Sequence, residues 1–288
     1  MSMTTIRVFR PRPRWLRALF EDPLSGIGVV GCGLILLVVL TGPLLAPYDP
    51  IDQDMLARFA PPSVAHLLGT DELGRDVLSR LLYATRASVG ISLLSILFGL
   101  VIGSLLGLIA GYCGGWIDAI LSESANLLLA FPTIVLGIII LVALGGGMGN
   151  VVIALAGSFI PRFVRLVRAE CMTTKQKVFV EAARATGAGH LRIMRHCILP
   201  NVGGTAVVSA ALWTATALRA EATLSFLGLG VQLPYPSWGN MISDSMTYIF
   251  DSPSLILWPC LAITISVIVF NLMGDALRDR LDPHFTER

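Results

Sequence analysis

Charged side chains are scarce in this sequence. Lys, Arg, Asp and Glu account for 14% of its 288 residues, whereas hydrophobic residues account for 55%. Soluble globular domains contain about 25% charged residues, so this composition excludes an ordinary soluble protein. Apolar runs long enough to cross a hydrocarbon core of about 30 Å recur along nearly the whole chain. They leave no stretch for a separate soluble domain.

The apolar runs also lack the alternation of polar and apolar residues that is typical of membrane-barrel strands. A uniformly apolar run can satisfy its own backbone hydrogen bonds within a bilayer only as a helix. We therefore predict an all-α membrane protein with six transmembrane helices. The predicted spans cover residues 26–46, 87–111, 118–144, 149–169, 203–227 and 254–274.

Signatures of nucleotide, metal or catalytic sites are missing as well. No G-x-x-x-x-G-K-[ST] motif occurs, so the chain lacks its own phosphate-binding loop. The G-x-G-x-x-G at Gly26, Gly28 and Gly31 opens an apolar span with no strand before it. His190 and His196 lack the helical spacing that would aim both at one metal ion, and no Ser, His and Asp set is evident. We expect no catalytic residue, metal site or cofactor in this chain and predict that it is not an enzyme.

Lys and Arg are concentrated in three segments, which should be cytoplasmic. These are the five arginines before the first span, the eight basic residues from Arg162 to Arg195, and the arginines of the carboxyl-terminal tail. Residues 228–253 hold no Lys or Arg, and residues 47–83 hold three arginines against six acidic residues, so both should face outward. The charge pattern predicts that both termini are cytoplasmic.

This topology divides the chain into five parts with one embedded loop. They are a basic cytoplasmic segment at 1–25, a first span at 26–46, an extracytoplasmic loop at 47–86, a core transmembrane domain at 87–274 that contains a cytoplasmic coupling loop at 170–202, and a cytoplasmic tail at 275–288.

Two features within the spans are unusual. Gly99, Gly103, Gly107 and Gly111 repeat every four residues, which predicts a helix face that another helix approaches closely. Charged side chains at Arg219 and Glu221 interrupt an otherwise apolar run.

An ionised group within a span is costly and usually faces the bundle interior or a water-filled path. Our hypothesis is that Arg219 and Glu221 mark the translocation path and that Glu221 borders it. The alternative is that the helix ends earlier and that the two residues neutralise each other near the membrane surface.

The stretch between the fourth and fifth spans is predicted to dock on another protein. Residues 181–186 favour a short helix with a face of small side chains, and Gly187 can end that helix and turn the backbone. Residues 191–199 suit a second short amphipathic helix, which we expect Pro200 to close before the fifth span.

This stretch resembles the signature loop of ABC importer permeases. That loop reads E-A-A-x-x-x-G, nine residues, an aliphatic residue, x, then L-P, and Cys197 takes the aliphatic place here. The residues in register, which the resemblance assigns to docking on an ATPase, are Glu181, Ala182, Ala183, Gly187, Leu199 and Pro200.

Other segments are similar to the dipeptide, oligopeptide and nickel branch of these permeases, and to its C-type subunit in particular. They are residues 69–76 with 79–81, 224–230, 236–239, 271–275 and 277–283. One segment departs from the pattern: Glu123 and Asn126 stand where the family usually carries an Arg and an Asp. We expect a different local pairing there.

The resemblance implies the type I importer permease fold in a bacterial cytoplasmic (inner) membrane. It implies a heterodimer with a second permease, two ATP-binding subunits that carry ATP and Mg, and an extracytoplasmic solute-binding protein, with lipid but no nucleic acid as a further partner. The chain would then form half of a path for dipeptides or oligopeptides. Nickel or another small solute is the alternative, and an ion-coupled secondary transporter is the rival class.

Overall fold

A computed structural model describes residues 23–281 as a bundle of helices, and these residues form no β-strand apart from one isolated bridge between Thr70 and Asp76. The prediction of an all-α protein is confirmed. The helices are α1 Pro23–Leu45, α2 Val77–Cys113, α3 Gly115–Leu129, α4 Thr133–Leu144, α5 Met148–Thr174, α6 Val178–Ala185, α7 His190–Ile193, α8 Leu199–Phe226, α9 Trp238–Ser245 and α10 Ser254–Leu281. The arginines before residue 23 and the end of the tail lie outside this description.

Five helical stretches are long and apolar enough to cross a membrane, and a bent pair brings the number to six. This agrees with the predicted number, but several boundaries differ. The second span begins at Val77 rather than at residue 87, and the last continues to Leu281 rather than to residue 274. The fifth starts at His190, because α7 and α8 join through a turn.

The third predicted span, 118–144, is wrong as a single straight helix. It consists of α3 and α4, whose axes meet at 96°. Pro132 lies between them with ψ at 139°, outside the helical region. A proline lacks the N–H that a helix needs and disfavours helical geometry at the residue before it, so the chain turns sharply there.

The glycine face of α2 packs against α5, as predicted. A Cβ built on Gly103 would lie 2.5 Å from the Cβ of Phe163 and 2.7 Å from the carbonyl oxygen of Ile160. A Cβ on Gly107 would lie 2.6 Å from the carbonyl oxygen of Val164. Real Cβ atoms do not approach so closely, so the two backbones can meet only because these side chains are absent.

We expect Gly103→Ala to lower the free energy of unfolding by about 1–3 kcal/mol, because the added methyl group overpacks the contact with α5. Gly90→Ala on the same helix is the matched control, since its added Cβ has no neighbour within 4 Å. The measurement is thermal unfolding in detergent. Equal melting temperatures for the two variants would contradict the prediction.

The connecting segments lie at two ends of the bundle. Residues 46–76 and 227–253 meet at one end, which we call the loop-rich end, because Arg80 contacts both Asp71 and Asp244. Residues 175–198 lie at the opposite end, where the Tyr112 hydroxyl is 2.8 Å from Nδ1 of His190.

Candidate functional site

The predicted docking stretch folds as a helix with a fixed turn. Glu181, Ala182 and Ala183 lie in α6, which covers Val178–Ala185 where the prediction was 181–186. Gly187 follows with φ at +82°, a conformation that strongly favours glycine. The N–H of Ala188 donates to the carbonyl of Ala183 at 3.0 Å, and the N–H of Gly187 donates to the carbonyl of Arg184 at 2.9 Å. These two bonds form a Schellman motif.

One side of α6 packs against the rest of the protein, and the other side is exposed. Val180 is fully buried in a cluster with Ile193 and Ile198. Glu181 and Ala182 are exposed on the same short helix. Three large apolar side chains nearby are also exposed: Val178, Phe179 and Leu191. This face combines one carboxylate with apolar surface, which is the composition of a protein contact.

The prediction that Pro200 closes the second short helix is wrong. The turn at Met194–Ile198 is π-helical, and the chain passes through it directly into α8, whose first turn contains Leu199 and Pro200. The N–H of Leu199 donates to the carbonyl of Met194 in the wider turn. A π turn relieves the contact between the proline ring and the preceding carbonyls, so the helix continues.

The docking stretch is tied to three other helices. Nζ of Lys175 donates to the carbonyl oxygen of Tyr112 at 2.6 Å, which joins the ends of α5 and α2. Cys197 is half-buried against the cluster around Val180, so it fills the aliphatic place of the motif as a small apolar side chain. A force on α6 would therefore reach α2, α5 and α8 together.

At the loop-rich end, the segment 69–76 folds around a buried carboxylate. Asp71 accepts hydrogen bonds from Nε of Arg75 at 2.7 Å and from the backbone N–H groups of Leu73 and Arg75, both at 2.9 Å. Asp76 caps α2 by accepting a bond of 2.8 Å from the N–H of Ser79. The segment is thus a compact turn locked onto the first residues of α2.

Arg80 connects this turn to the second connecting segment. Its side chain is 2% exposed, and its guanidinium lies 3.3 Å from Asp71 and 3.7 Å from Asp244 in α9. Burial raises the pKa of Asp244, and Arg80 opposes that increase. Burial and the neighbouring Asp71 likewise raise the pKa of Glu72. Sequence reasoning assigned no role to Arg80, although Asp71, Arg75, Asp76 and Arg80 alternate in charge and could have signalled a network.

Arg219 and Glu221 are not brought together. Glu221 is fully buried and accepts a hydrogen bond of 2.7 Å from Ser225. Arg219 is exposed, because residues two positions apart point to different sides of a helix. Mutual neutralisation near a helix end is therefore wrong, and α8 runs on to Phe226. The path role of the two residues stays a prediction.

An ion pair lies close to the residues of the third span that depart from the family pattern, but it does not involve them. Asp118 pairs with Arg168 of α5, with Nη2 at 2.7 Å from Oδ2, and it accepts a bond from Ser122. Glu123 and Asn126 are exposed, and Glu123 has no ion pair among residues 23–281.

Comparison with known protein families decides the class of protein. Residues 103–287 match the family described as the binding-protein-dependent transport system inner membrane component. The chain belongs to this family. Residues 13–62 also match the N-terminal transmembrane domain of oligopeptide transport permease C.

Relatives of this permease are similar over nearly their whole length. The dipeptide transport system permease protein DppC of Alkalihalophilus pseudofirmus is 39% identical over 93% of this chain and 88% of its own. The glutathione transport system permease protein GsiD of Pectobacterium atrosepticum is 42% identical, covering 94% and 90%. The nickel transport system permease protein NikC of Escherichia coli is 41% identical, covering 90% and 93%.

The protein is accordingly a permease subunit of an ABC importer, a multi-pass protein of the bacterial inner membrane that works in a complex of several subunits. Its relatives are permease subunits rather than enzymes. This confirms the class of protein that the resemblance of the signature loop implies.

Proposed function

We propose that this permease is driven by ATPase subunits that contact α6 and the Gly187 turn. The observation that carries the proposal is a short helix anchored by Val180 that leaves Glu181 and Ala182 exposed. The partner subunits would bind ATP and Mg, since this chain has no phosphate-binding loop. The full assembly would hold two permeases as a heterodimer, two ATP-binding subunits and an extracytoplasmic binding protein.

Continuity of the fifth span supports a mechanical role for the docking stretch. The helix from His190 to Phe226 has 37 residues, so it is about 55 Å long at 1.5 Å per residue. This one helix connects the docking stretch with the part of the span that contains Arg219. A movement of α6 caused by closure of the ATPase subunits would therefore shift the membrane core as a rigid unit, and the population would move between inward-open and outward-open states.

Charge distribution supports a cytoplasmic position for the docking stretch. Three of the basic residues assigned to this connection lie within α5: Arg162, Arg165 and Arg168. Five remain in the connection: Lys175, Lys177, Arg184, Arg192 and Arg195. This excess of basic residues still favours a cytoplasmic position for the connection. The loop-rich end would then face outward and receive the binding protein.

The solute that we propose is a dipeptide or oligopeptide, because relatives named for dipeptide and di/tripeptide transport align over most of the chain. Nickel is the alternative, supported by a relative of similar identity. An ion-coupled secondary transporter is less favoured, since the family match covers residues 103–287.

Glu181→Lys tests the docking proposal. We expect ATP-driven uptake by the reconstituted complex to fall about three- to tenfold, because reversing one charge at a protein contact costs about 1 kcal/mol or more. Basal ATP hydrolysis and membrane insertion should be retained. Glu170→Lys, a charge reversal on α5 before that helix ends at Thr174, is the control. Normal uptake with full ATPase stimulation in Glu181→Lys would reject the proposal.

A further inference from the structure

A cavity of about 300 Å³ opens at the bend between α3 and α4. Pro132 and Thr133 line it from the bend, and Thr216, Arg219 and Thr223 line it from α8. The side chain of Arg219 is exposed in this chain and has no ion-pair partner among the residues described. The cavity thus combines a free cation with three hydroxyl groups inside the span region.

A second arginine reaches the same cavity wall from α5. Nη2 of Arg162 donates to Oγ1 of Thr133, and its guanidinium carbon lies 5.1 Å from the centre of the Phe159 ring. Within residues 23–281, Arg162 has no carboxylate partner. Arg162 of α5 thus bonds to Thr133 of the cavity wall, while Arg219 of α8 lines the cavity itself.

The basic character continues towards the docking end. A cavity of about 240 Å³ is lined by Asn126, Arg165 and Arg168, among others. Asp118 neutralises Arg168, whereas Arg165 is exposed and has no ion pair in the described part of the chain. Even when the exposed Glu123 of α3 is counted with Asp118 against Arg162, Arg165 and Arg168, the net charge of these five residues is +1.

The positions of these arginines along their helices disfavour a lipid-facing role. Arg162 lies about 20 Å along α5 from Met148, and Arg219 lies about 10 Å from the end of α8, at 1.5 Å per residue. Both distances are shorter than the thickness of a hydrocarbon core, about 30 Å. An unpaired arginine at such a depth is costly against lipid and normally faces protein or a water-filled cavity.

We infer that Arg219 and Arg162 form an anion-attracting station on the translocation path that receives a carboxylate of the carried solute. The inference rests on the proposed transport function and narrows it: carboxylate-bearing solutes such as peptides are favoured over a free divalent cation. A low-dielectric cavity focuses the positive potential, and guanidinium groups bind carboxylates through paired hydrogen bonds. The same potential repels a metal cation.

Thiol modification at Thr216→Cys measures the potential in the cavity directly. The full complex, with the five native cysteines replaced, is treated with anionic sulfonatoethyl and cationic trimethylammonioethyl methanethiosulfonates. We expect the ratio of anionic to cationic reaction rates to fall about tenfold when Arg219→Gln is added, as loss of about 1.4 kcal/mol of attraction would give. Arg58→Gln, a change in the first connecting segment, should leave the ratio unaltered.

Three results would overturn the inference. The first is no reaction at the introduced cysteine, and the second is an unchanged ratio of reaction rates in Arg219→Gln. The third is that anionic lipid protects the cysteine from modification whereas added alanyl-alanine does not, which would assign the site to a lipid headgroup. Protection by alanyl-alanine that Arg219→Gln abolishes is the expected result.

Uptake separates this inference from the proposed function. Arg219→Gln should reduce uptake of alanyl-alanine about tenfold relative to Ni²⁺ uptake. Reaction rates at the cysteine need neither ATP nor uptake, so the absence of an anion preference before Arg219→Gln is added rejects the station alone. If the cysteine still reacts faster with the anionic reagent but Glu181→Lys transports normally, the docking proposal is rejected and the station is retained.

Discussion

Arg80→Met is expected to lower the free energy of unfolding by about 3 kcal/mol, because removing one partner of a buried ion pair leaves the other charge uncompensated. Arg80 is 2% exposed and holds Asp71 in the first connecting segment and Asp244 in the second. The loss corresponds to a decrease of roughly 6–12 °C in melting temperature. Thermal unfolding of the detergent-solubilised protein provides the measurement.

A matched substitution tests whether burial causes the loss. Arg58 is an exposed arginine of the first connecting segment, so Arg58→Met should change the melting temperature little. A double-mutant cycle with Asp244→Asn then measures the coupling across the two segments. We expect the coupling to be smaller than the loss in Arg80→Met, because Asp244 is 26% exposed and solvent screens it. If Arg80→Met melts like Arg58→Met, the network does not hold the segments together.

Hydropathy predicted the number and approximate positions of the spans because the bilayer sets the length of each apolar run. It could not predict what happens at individual prolines. At Pro132 the chain turns through 96°, whereas at Pro200 the helix continues through a π turn. Both prolines lack an N–H, so the difference depends on whether the neighbouring backbone can widen its turn and keep its hydrogen bonds, which packing decides.

In the candidate site too, local features could be predicted from the sequence, whereas contacts between distant residues could not. The Gly187 turn could be predicted from sequence because a Schellman motif depends on neighbouring residues alone. The contact of Arg80 with Asp244 joins residues far apart in the chain, and local patterns do not specify such a pairing. Charge counting placed Arg162 in the cytoplasmic connection, although the predicted span 149–169 contained it, and the structure has it within α5.

Gly187→Val is expected to reduce ATP-driven uptake about tenfold or more. Its φ of +82° costs an L-residue roughly 1–2 kcal/mol and a β-branched residue more. Valine at this position would break the Schellman turn and change the angle at which α6 presents Glu181. We expect the protein to insert and the complex to hydrolyse ATP, because the added Cβ meets no atom within 4 Å and the core is untouched.

Gly189→Val gives the matched control, since Gly189 also has open space around it but an ordinary φ of −67°. Gly187→Asn should be intermediate, because asparagine tolerates the left-handed region better than valine. The measurement is the ratio of solute taken up to ATP hydrolysed in proteoliposomes. A ratio that falls in the order Gly189→Val, Gly187→Asn, Gly187→Val would follow backbone strain rather than side-chain volume. Equal ratios in the three variants would mean that the angle of α6 does not govern coupling.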